Sequence, residues 1–239
     1  MASGLPVAVI LAGGLGTRLR PLIPHAPKAL APVGGEPFLY HQLRWLRTNR
    51  VADVIICVGY KSEKIMEELG DGQSLGMKLV YSREESPLGT AGAIAKAHLE
   101  LPEEFLVVNG DTYTDMPLAP LWESHRNRSA LATLAITPVL DSSTSGGIEL
   151  APDGKITAFR EKQPGIPLVS MGIYAMNKGL LNHIPAIRPC SLENDVFPHA
   201  PHLYGHISKT PFIDIGSPEG YKKANTQLRA VGCPREGEQ

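Results

Sequence analysis

The chain has 239 residues, 43% of them hydrophobic, and carries 23 lysines and arginines against 24 aspartates and glutamates, for a formal net charge of -1. That balance, with no basic run, argues against a general nucleic-acid binder, and no stretch approaches the roughly 18 apolar residues of a membrane span. The length suffices for one good core, expected as a single domain over residues 1–230 with a polar, frayed tail at 231–239.

The first apolar run, Val7 to Leu11, breaks into Ala12-Gly13-Gly14-Leu15-Gly16-Thr17-Arg18-Leu19-Arg20-Pro21. A buried strand opening into glycines suits a phosphate-cradling loop, because glycines let backbone N–H groups approach an anion. Thr17 adds a hydroxyl, and Arg18, Arg20 and Lys28 can bring three cations to one polyphosphate. Gly14-x-Gly16-x-x-Leu19 lacks the third glycine of the dinucleotide fingerprint, and no acidic residue closes the second strand to hold a ribose. No Gly-Lys-Ser/Thr follows, which separates the loop from a Walker P-loop. A plain glycine turn with solvated arginines is the alternative.

Pro37 is placed to open a helix in which Phe38, Leu39, Gln42, Leu43 and Leu46 recur at helical spacing, with Trp45 as packing. Asp53 to Gly59 reads as a second buried strand, with Cys57 in the core, and Lys61 to Leu69 as a helix stopped by Gly70. Met77 to Ser82 is a third strand. This alternation predicts a parallel sheet with right-handed crossovers. The segment Glu84 to Ile94, which includes Pro87, Gly89 and Thr90, is a small-residue turn leading into a helix to about Leu99. Such a turn lets a flat ring lie against backbone, where free N–H and C=O groups can read the edge of a base.

Phe105 to Val108 is an apolar strand that runs into Asn109-Gly110-Asp111, which places a carboxylate at the carboxyl edge of the sheet, where open α/β folds bind ligands. Hard oxygen ligands suit Mg²⁺. A helix at Leu118 to Asn127 and a strand at Ala130 to Val139 follow. Gly147 to Leu150 and Lys155 to Lys162 then form a hairpin about Asp153-Gly154, expected as a small lobe. In Glu161-Lys162 an ammonium can neutralise a phosphate and a carboxylate can accept hydroxyls. Val169 to Tyr174, including Gly172, is a strand, Ser191 is placed to cap a further helix, and Phe212 to Tyr221 reads as strand, turn and helix start. Cys57, Cys190 and Cys233 are odd in number and widely spaced; reduced thiols in the cytoplasm are the expectation, with no membrane and no nucleic-acid partner.

Gly13-Gly14-x-Gly16-Thr17-Arg18-Leu19-x-Pro21-Leu22, followed by Pro27-Lys28 and Pro32-Val33, resembles the signature of the sugar-1-phosphate nucleotidyltransferases, which make NDP-sugars. The resemblance covers about Val7 to Arg229, with its elements in the family's order. It implies an α/β fold with a Rossmann-like, mostly parallel sheet flanked by helices and a β-hairpin lobe on the sugar side. It further implies the reaction of NTP with a sugar 1-phosphate to give NDP-sugar and pyrophosphate. Leu11, Ala12, Gly13, Gly14, Gly16, Thr17, Arg18, Pro87, Gly89, Thr90 and Gly110 would bind nucleotide. Asn109, Gly147, Glu161, Lys162 and Gly172 would bind the sugar phosphate. Arg18, Lys28, Asp111 and Lys162 would be catalytic, and Asp111 and Asp214 would share one Mg²⁺.

Ile23, Ala29, Ser145-Gly146-Gly147 and Ser170-Met171 depart from the family's usual residues, the last two in the region of the sugar. Pro-Leu-Gly-Thr leans toward GTP. The chain is most similar to members acting on D-glycero-α-D-manno-heptose 1-phosphate, then to those acting on mannose 1-phosphate. Uridylyl transfer to N-acetylmuramic acid or hexose 1-phosphate comes third. A catalytically silent sugar-nucleotide sensor is the alternative of another class, and dimers are frequent enough in the family to leave a homodimer open.

Overall fold

Strands that are apolar at nearly every position sit between two covering layers, as the strands at Ala8–Leu11, Asp53–Val58 and Glu104–Asn109 do. The computed structural model describes residues 5–139, 147–160, 168–186 and 189–228. In chain order the elements are β1 (Ala8–Leu11), β2 (Pro32–Val33), β3 (Glu36–Pro37), α1 (Phe38–Thr48), β4 (Asp53–Val58), α2 (Ser62–Leu69), β5 (Lys78–Arg83), α3 (Gly89–Lys96), β6 (Glu104–Asn109), β7 (Thr112–Thr114) and α4 (Leu118–Asn127). There follow β8 (Ala132–Pro138), β9 (Gly147–Leu150), β10 (Ile156–Arg160), β11 (Leu168–Asn177), β12 (Leu203–Ile207), β13 (Phe212–Asp214) and α5 (Pro218–Gln227).

Among the described residues the central sheet has nine strands, with the order β10-β9-β11-β6-β1-β4-β5 and with β8 pairing both β11 and β12. β6, β1, β4 and β5 are mutually parallel, whereas β11 runs antiparallel to β6. The chain winds outward from β1 through β4 to β5, then returns to place β6 on the other side of β1. The carboxyl ends of β1 and β6 therefore form a switch point, the place where an open α/β sheet leaves a crevice. The loop after β1 and the turn after β6 both open there.

One apolar layer packs α1, α2 and α4 on the sheet through Leu39, Leu43, Ile65 and Leu121; the other packs α3 through Ala91 and Ile94 with Phe105, Tyr174 and Phe197. Trp45 is a packing residue, its Nε1 donating to the Met116 carbonyl at 2.9 Å, and Cys57 is fully buried. A third cluster, with Leu19, Phe38, Ile213 and Ile215, anchors the glycine loop and the β7–β13 ribbon beside each other.

Several boundaries differ from the sequence expectation. Pro37 is extended (ψ 136°) and pairs within the β2–β3 ribbon, so the helix begins at Phe38. Lys61 adopts a left-handed conformation, φ 54°, which delays α2 to Ser62. α3 stops at Lys96 rather than near Leu99. Ser191 does cap, accepting from the Asn194 N–H, but the turn it starts spans only Leu192–Val196, and Pro198 has no N–H to extend it. The hairpin about Asp153-Gly154 forms as β9 and β10, and it continues the central sheet through Val169 and Gly147. Among the described residues no helix is long and apolar enough to cross a membrane.

Candidate functional site

The loop after β1 stays open because its ends are tied and its middle is glycine. The Ala12 N–H donates to the Cys57 carbonyl, and the N–H groups of Leu19 and Arg20 close a turn on the Gly16 carbonyl, with Leu19 buried beneath. Gly16 has φ +59°, and a Cβ there would stand 2.9 Å from the Lys28 Cβ, so this glycine lets the loop and the Lys28 segment touch. A Cβ at Gly14 would meet nothing within 4 Å. Gly14, Thr17 and Arg18 are exposed, and Arg18 faces the crevice.

Across the switch point, Gly110 brings the end of β6 against β1: a Cβ would lie 2.6 Å from the Leu11 carbonyl oxygen. The following Asp111 receives the Lys28 ammonium on Oδ2 at 2.5 Å. Asp214 reaches the same place from the end of β13, its Oδ1 accepting the Gly216 N–H at 2.5 Å. Gly216 marks the convergence. A Cβ added there would sit 2.8 Å from Asp214 Oδ1, 3.0 Å from Asp111 Oδ2 and 3.0 Å from an Arg18 guanidinium nitrogen.

Two carboxylates and two cations, contributed by four separate segments, thus share one small volume at the sheet edge. Loss of water and the nearby Asp111 carboxylate raise the Asp214 pKa, while the Gly216 N–H, Lys28 and Arg18 pull it down. Among the described residues no group of three or more His, Cys, Asp or Glu side chains could hold a metal. A pair is what Mg²⁺ requires when phosphate oxygens and water complete its octahedron, so Asp111 and Asp214 fit that ion.

The adjoining cleft, about 1230 Å³, lies between these carboxylates and the strand β11. Because β11 is antiparallel to β6, its early residues stand at the carboxyl end of β6. There Gly172, at φ +70°, sits in a register shift between Ser170 and Tyr174 that turns Ser170 and Met171 to the cleft. A Cβ on Gly172 would stand 2.7 Å from the Asn109 amide nitrogen, so Asn109 and Gly172 are fitted to each other. Gly147 lines the same cleft. Glu161 and Lys162 lie outside the described residues.

The segment Pro87 to Thr90 joins β5 to the start of α3. It is laced to the chain after β11. The Cys190 N–H donates to the Leu88 carbonyl, the Ala91 N–H to the Cys190 carbonyl, and the Leu192 N–H to Thr90 Oγ1 at 2.8 Å. Thr90 keeps its own hydroxyl proton to donate. Gly89, at φ +74°, leaves no room for a side chain against the Cys190 backbone.

Two residues without a role in the sequence reading also face the site. Glu84, buried at the end of β5, accepts the Leu88 N–H on Oε2 at 3.0 Å and brings Oε1 against Gly13. Burial raises its pKa, while the Leu88 N–H and Lys96 lower it. In the sequence it follows the polar Ser82-Arg83, so it lacks the apolar run that marks Asp111. Glu193 lines the cleft with Oε1 bound by the buried Tyr174 hydroxyl at 2.6 Å. In the sequence it is hidden within a capping motif.

The mannose-1-phosphate guanylyltransferase of Mycobacterium tuberculosis is 35% identical over 236 residues, 95% of this chain, and the chain spans 66% of that relative's length. The D-glycero-alpha-D-manno-heptose 1-phosphate guanylyltransferase of Aneurinibacillus thermoaerophilus is 35% identical over 227 residues, 93% of this chain and 98% of the relative. The crystal structure of HddC from Yersinia pseudotuberculosis complexed with GMP-PN superposes with a TM-score of 0.83 at 30% identity, over 94% of this chain and all of that one. With a further match over residues 7–230 to the family described as Nucleotidyl transferase, the chain that builds this crevice belongs to that family.

Proposed function

We propose that the protein transfers GMP from GTP to a sugar 1-phosphate, giving GDP-sugar and pyrophosphate, with residues 1–230 as one catalytic domain, 231–239 as a tail, and Mg²⁺ as the cofactor. The observation that carries this is the convergence of Asp111, Asp214, Arg18 and Lys28 at the β1/β6 switch point. A phosphate monoester oxygen is already a nucleophile, so no general base is needed; the chain must align it with the α-phosphorus and offset developing charge. Arg18, with Thr17 and the loop amides, is placed for the leaving pyrophosphate. Lys28 reaches between loop and carboxylates, and Lys162 is assigned to the sugar phosphate. Mg²⁺ held by Asp111 and Asp214 would withdraw charge from the α-phosphate.

The choice of base follows from Glu84. A carboxylate accepts only, and guanine presents two adjacent donors, N1–H and the N2 amine, whereas uracil presents one N–H between two carbonyls. Glu84 Oε1, held against Gly13 beside Pro87 and Gly89, suits the guanine edge. For the sugar, the relative whose full length matches acts by name on D-glycero-alpha-D-manno-heptose 1-phosphate, which favours that substrate. Mannose 1-phosphate is the second reading, favoured by relatives that extend beyond this chain. A homodimer working in the cytoplasm completes the proposal, and light scattering tests the assembly.

The test crosses GTP, UTP, CTP, ATP and dTTP with heptose, mannose, glucose and N-acetylmuramic acid 1-phosphates and measures pyrophosphate release with Mg²⁺. Release with GTP and the heptose phosphate is the expected result. Release with another pair moves the substrate, and silence throughout favours a sugar-nucleotide sensor.

A further inference from the structure

Gln42 is fully buried on α1 among leucines. Its Nε2 donates to the Asn109 carbonyl at 2.8 Å and to the Thr112 carbonyl at 2.6 Å. Those two carbonyls bracket Gly110 and Asp111. The amide's orientation is settled by chemistry, since turning it over would set Oε1 against both carbonyls. In the orientation found, Oε1 is buried and has no hydrogen-bond partner among the described residues. An unpaired buried acceptor is costly, and an apolar side chain of the same size would avoid it, so packing alone does not account for an amide here.

The rest of the turn is held equally firmly. The Gly110 N–H donates to the Leu11 carbonyl at 3.1 Å, and the Ile215 N–H to the Asp111 carbonyl at 2.9 Å. The backbone that carries the Asp111 carboxylate is therefore pinned by hydrogen bonds from β1, from the Asp214–Gly216 segment and, through Gln42, from α1. Among the described residues Gln42 makes no hydrogen bond to Asp111, and it does not line the cleft.

We propose that Gln42 is a positioning residue that sets where the Asp111 carboxylate stands relative to Asp214, and thereby how tightly the pair holds a divalent cation. This rests on the reading of Asp111 and Asp214 as the cation's carboxylates. Outer partners that orient a ligand set cation affinity by about 10- to 100-fold, because the ligand otherwise samples positions that miss the ion.

The test titrates Mn²⁺ into the protein alone and follows it by electron paramagnetic resonance, with turnover against Mg²⁺ measured in parallel. Gln42→Met keeps the volume and removes both donors. It is expected to weaken Mn²⁺ binding about 10-fold or more and to raise the Mg²⁺ needed for half-maximal turnover alike. At saturating Mg²⁺ its KM for GTP should stay within about twofold of the parent. Gln42→Asn, an amide on a shorter stem, should weaken Mn²⁺ in the same direction and decides the matter if the methionine variant does not fold. Parental Mn²⁺ affinity in the folded variant overturns the proposal. Asp111→Asn, run beside them, separates the two ideas. If it loses Mn²⁺ while Gln42→Met does not, only the positioning role falls; if it too binds Mn²⁺ as the parent does, the metal reading itself has failed.

Discussion

Replacing Asp214 by asparagine should make the metal-free protein more stable while abolishing its activity. Asp214 Oδ1 and Asp111 Oδ2 both lie about 3 Å from one point beside Gly216, so they are within about 6 Å of each other. Two unit charges at ~6 Å repel by about 3 kcal/mol at an effective dielectric constant of ~20. Asp214 is shielded from part of the solvent but keeps surface open to the crevice, and Lys28 and Arg18 stand beside the pair, so screening and these cations leave about 1 kcal/mol or less. The asparagine oxygen can still accept the Gly216 N–H. Released repulsion of ~1 kcal/mol corresponds to a Tm about 2–4 °C higher for a domain of this size.

The assay is thermal unfolding in EDTA and again in Mg²⁺ with GTP, alongside pyrophosphate release. In EDTA the variant should melt above the parent, and Mg²⁺ should add less to its Tm than to the parent's. Turnover should fall by about 100-fold or more, as expected when a charge-stabilising group is removed from the reacting phosphate. A variant that melts below the parent in EDTA, yet gains as much from Mg²⁺, would refute the placement of the two carboxylates about one ion.

Glu84→Gln keeps an acceptor for the Leu88 N–H but loses the negative edge, so kcat/KM for GTP should drop about 10- to 100-fold with little change for UTP; unchanged GTP kinetics would remove Glu84 from base recognition. Gly172→Ala forces a side chain into a left-handed position against Asn109, a backbone cost of about 1–2 kcal/mol. It should raise the KM for sugar phosphate while leaving that for GTP in place, and equal effects on both would contradict a sugar-side role. His125 is buried against Thr133, and burial lowers its pKa to about 4. The unfolded chain binds that proton from about pH 6.5 downward and the native state only near pH 4, so stability is complete above pH 6.5 and falls as the pH drops through this window. Between pH 7 and pH 5 the loss should be about 2 kcal/mol by urea unfolding. His125→Leu should lose correspondingly less over the same interval; an identical slope in both proteins would show that other groups carry it.

The repeating pattern of apolar runs, glycines and strand-ending acids was enough to announce an α/β sheet, a glycine loop after β1 and a carboxylate after β6, because each of these is a local consequence of residue order. The hairpin at Asp153-Gly154, the capping by Ser191 and Leu118–Asn127 as a helix were legible for the same reason. What the residue order could not express was distance across the fold. That Asp214, over a hundred residues after Asp111, lies beside it follows from the β7–β13 pairing, and nothing local in Phe212–Asp214 encodes that partner. Gln42 read as one more inward position of an amphipathic helix, since only the tertiary structure brings α1 under the Asn109–Thr112 turn. Glu84 and Glu193 look like ordinary surface acids in the chain, and become part of the site only because β5 ends against Gly13 and Tyr174 is buried within hydrogen-bonding reach of the turn after Ser191. Local chemistry is written in neighbouring residues, whereas the convergence of charges at one switch point depends on strand order, which the packing of the whole sheet decides.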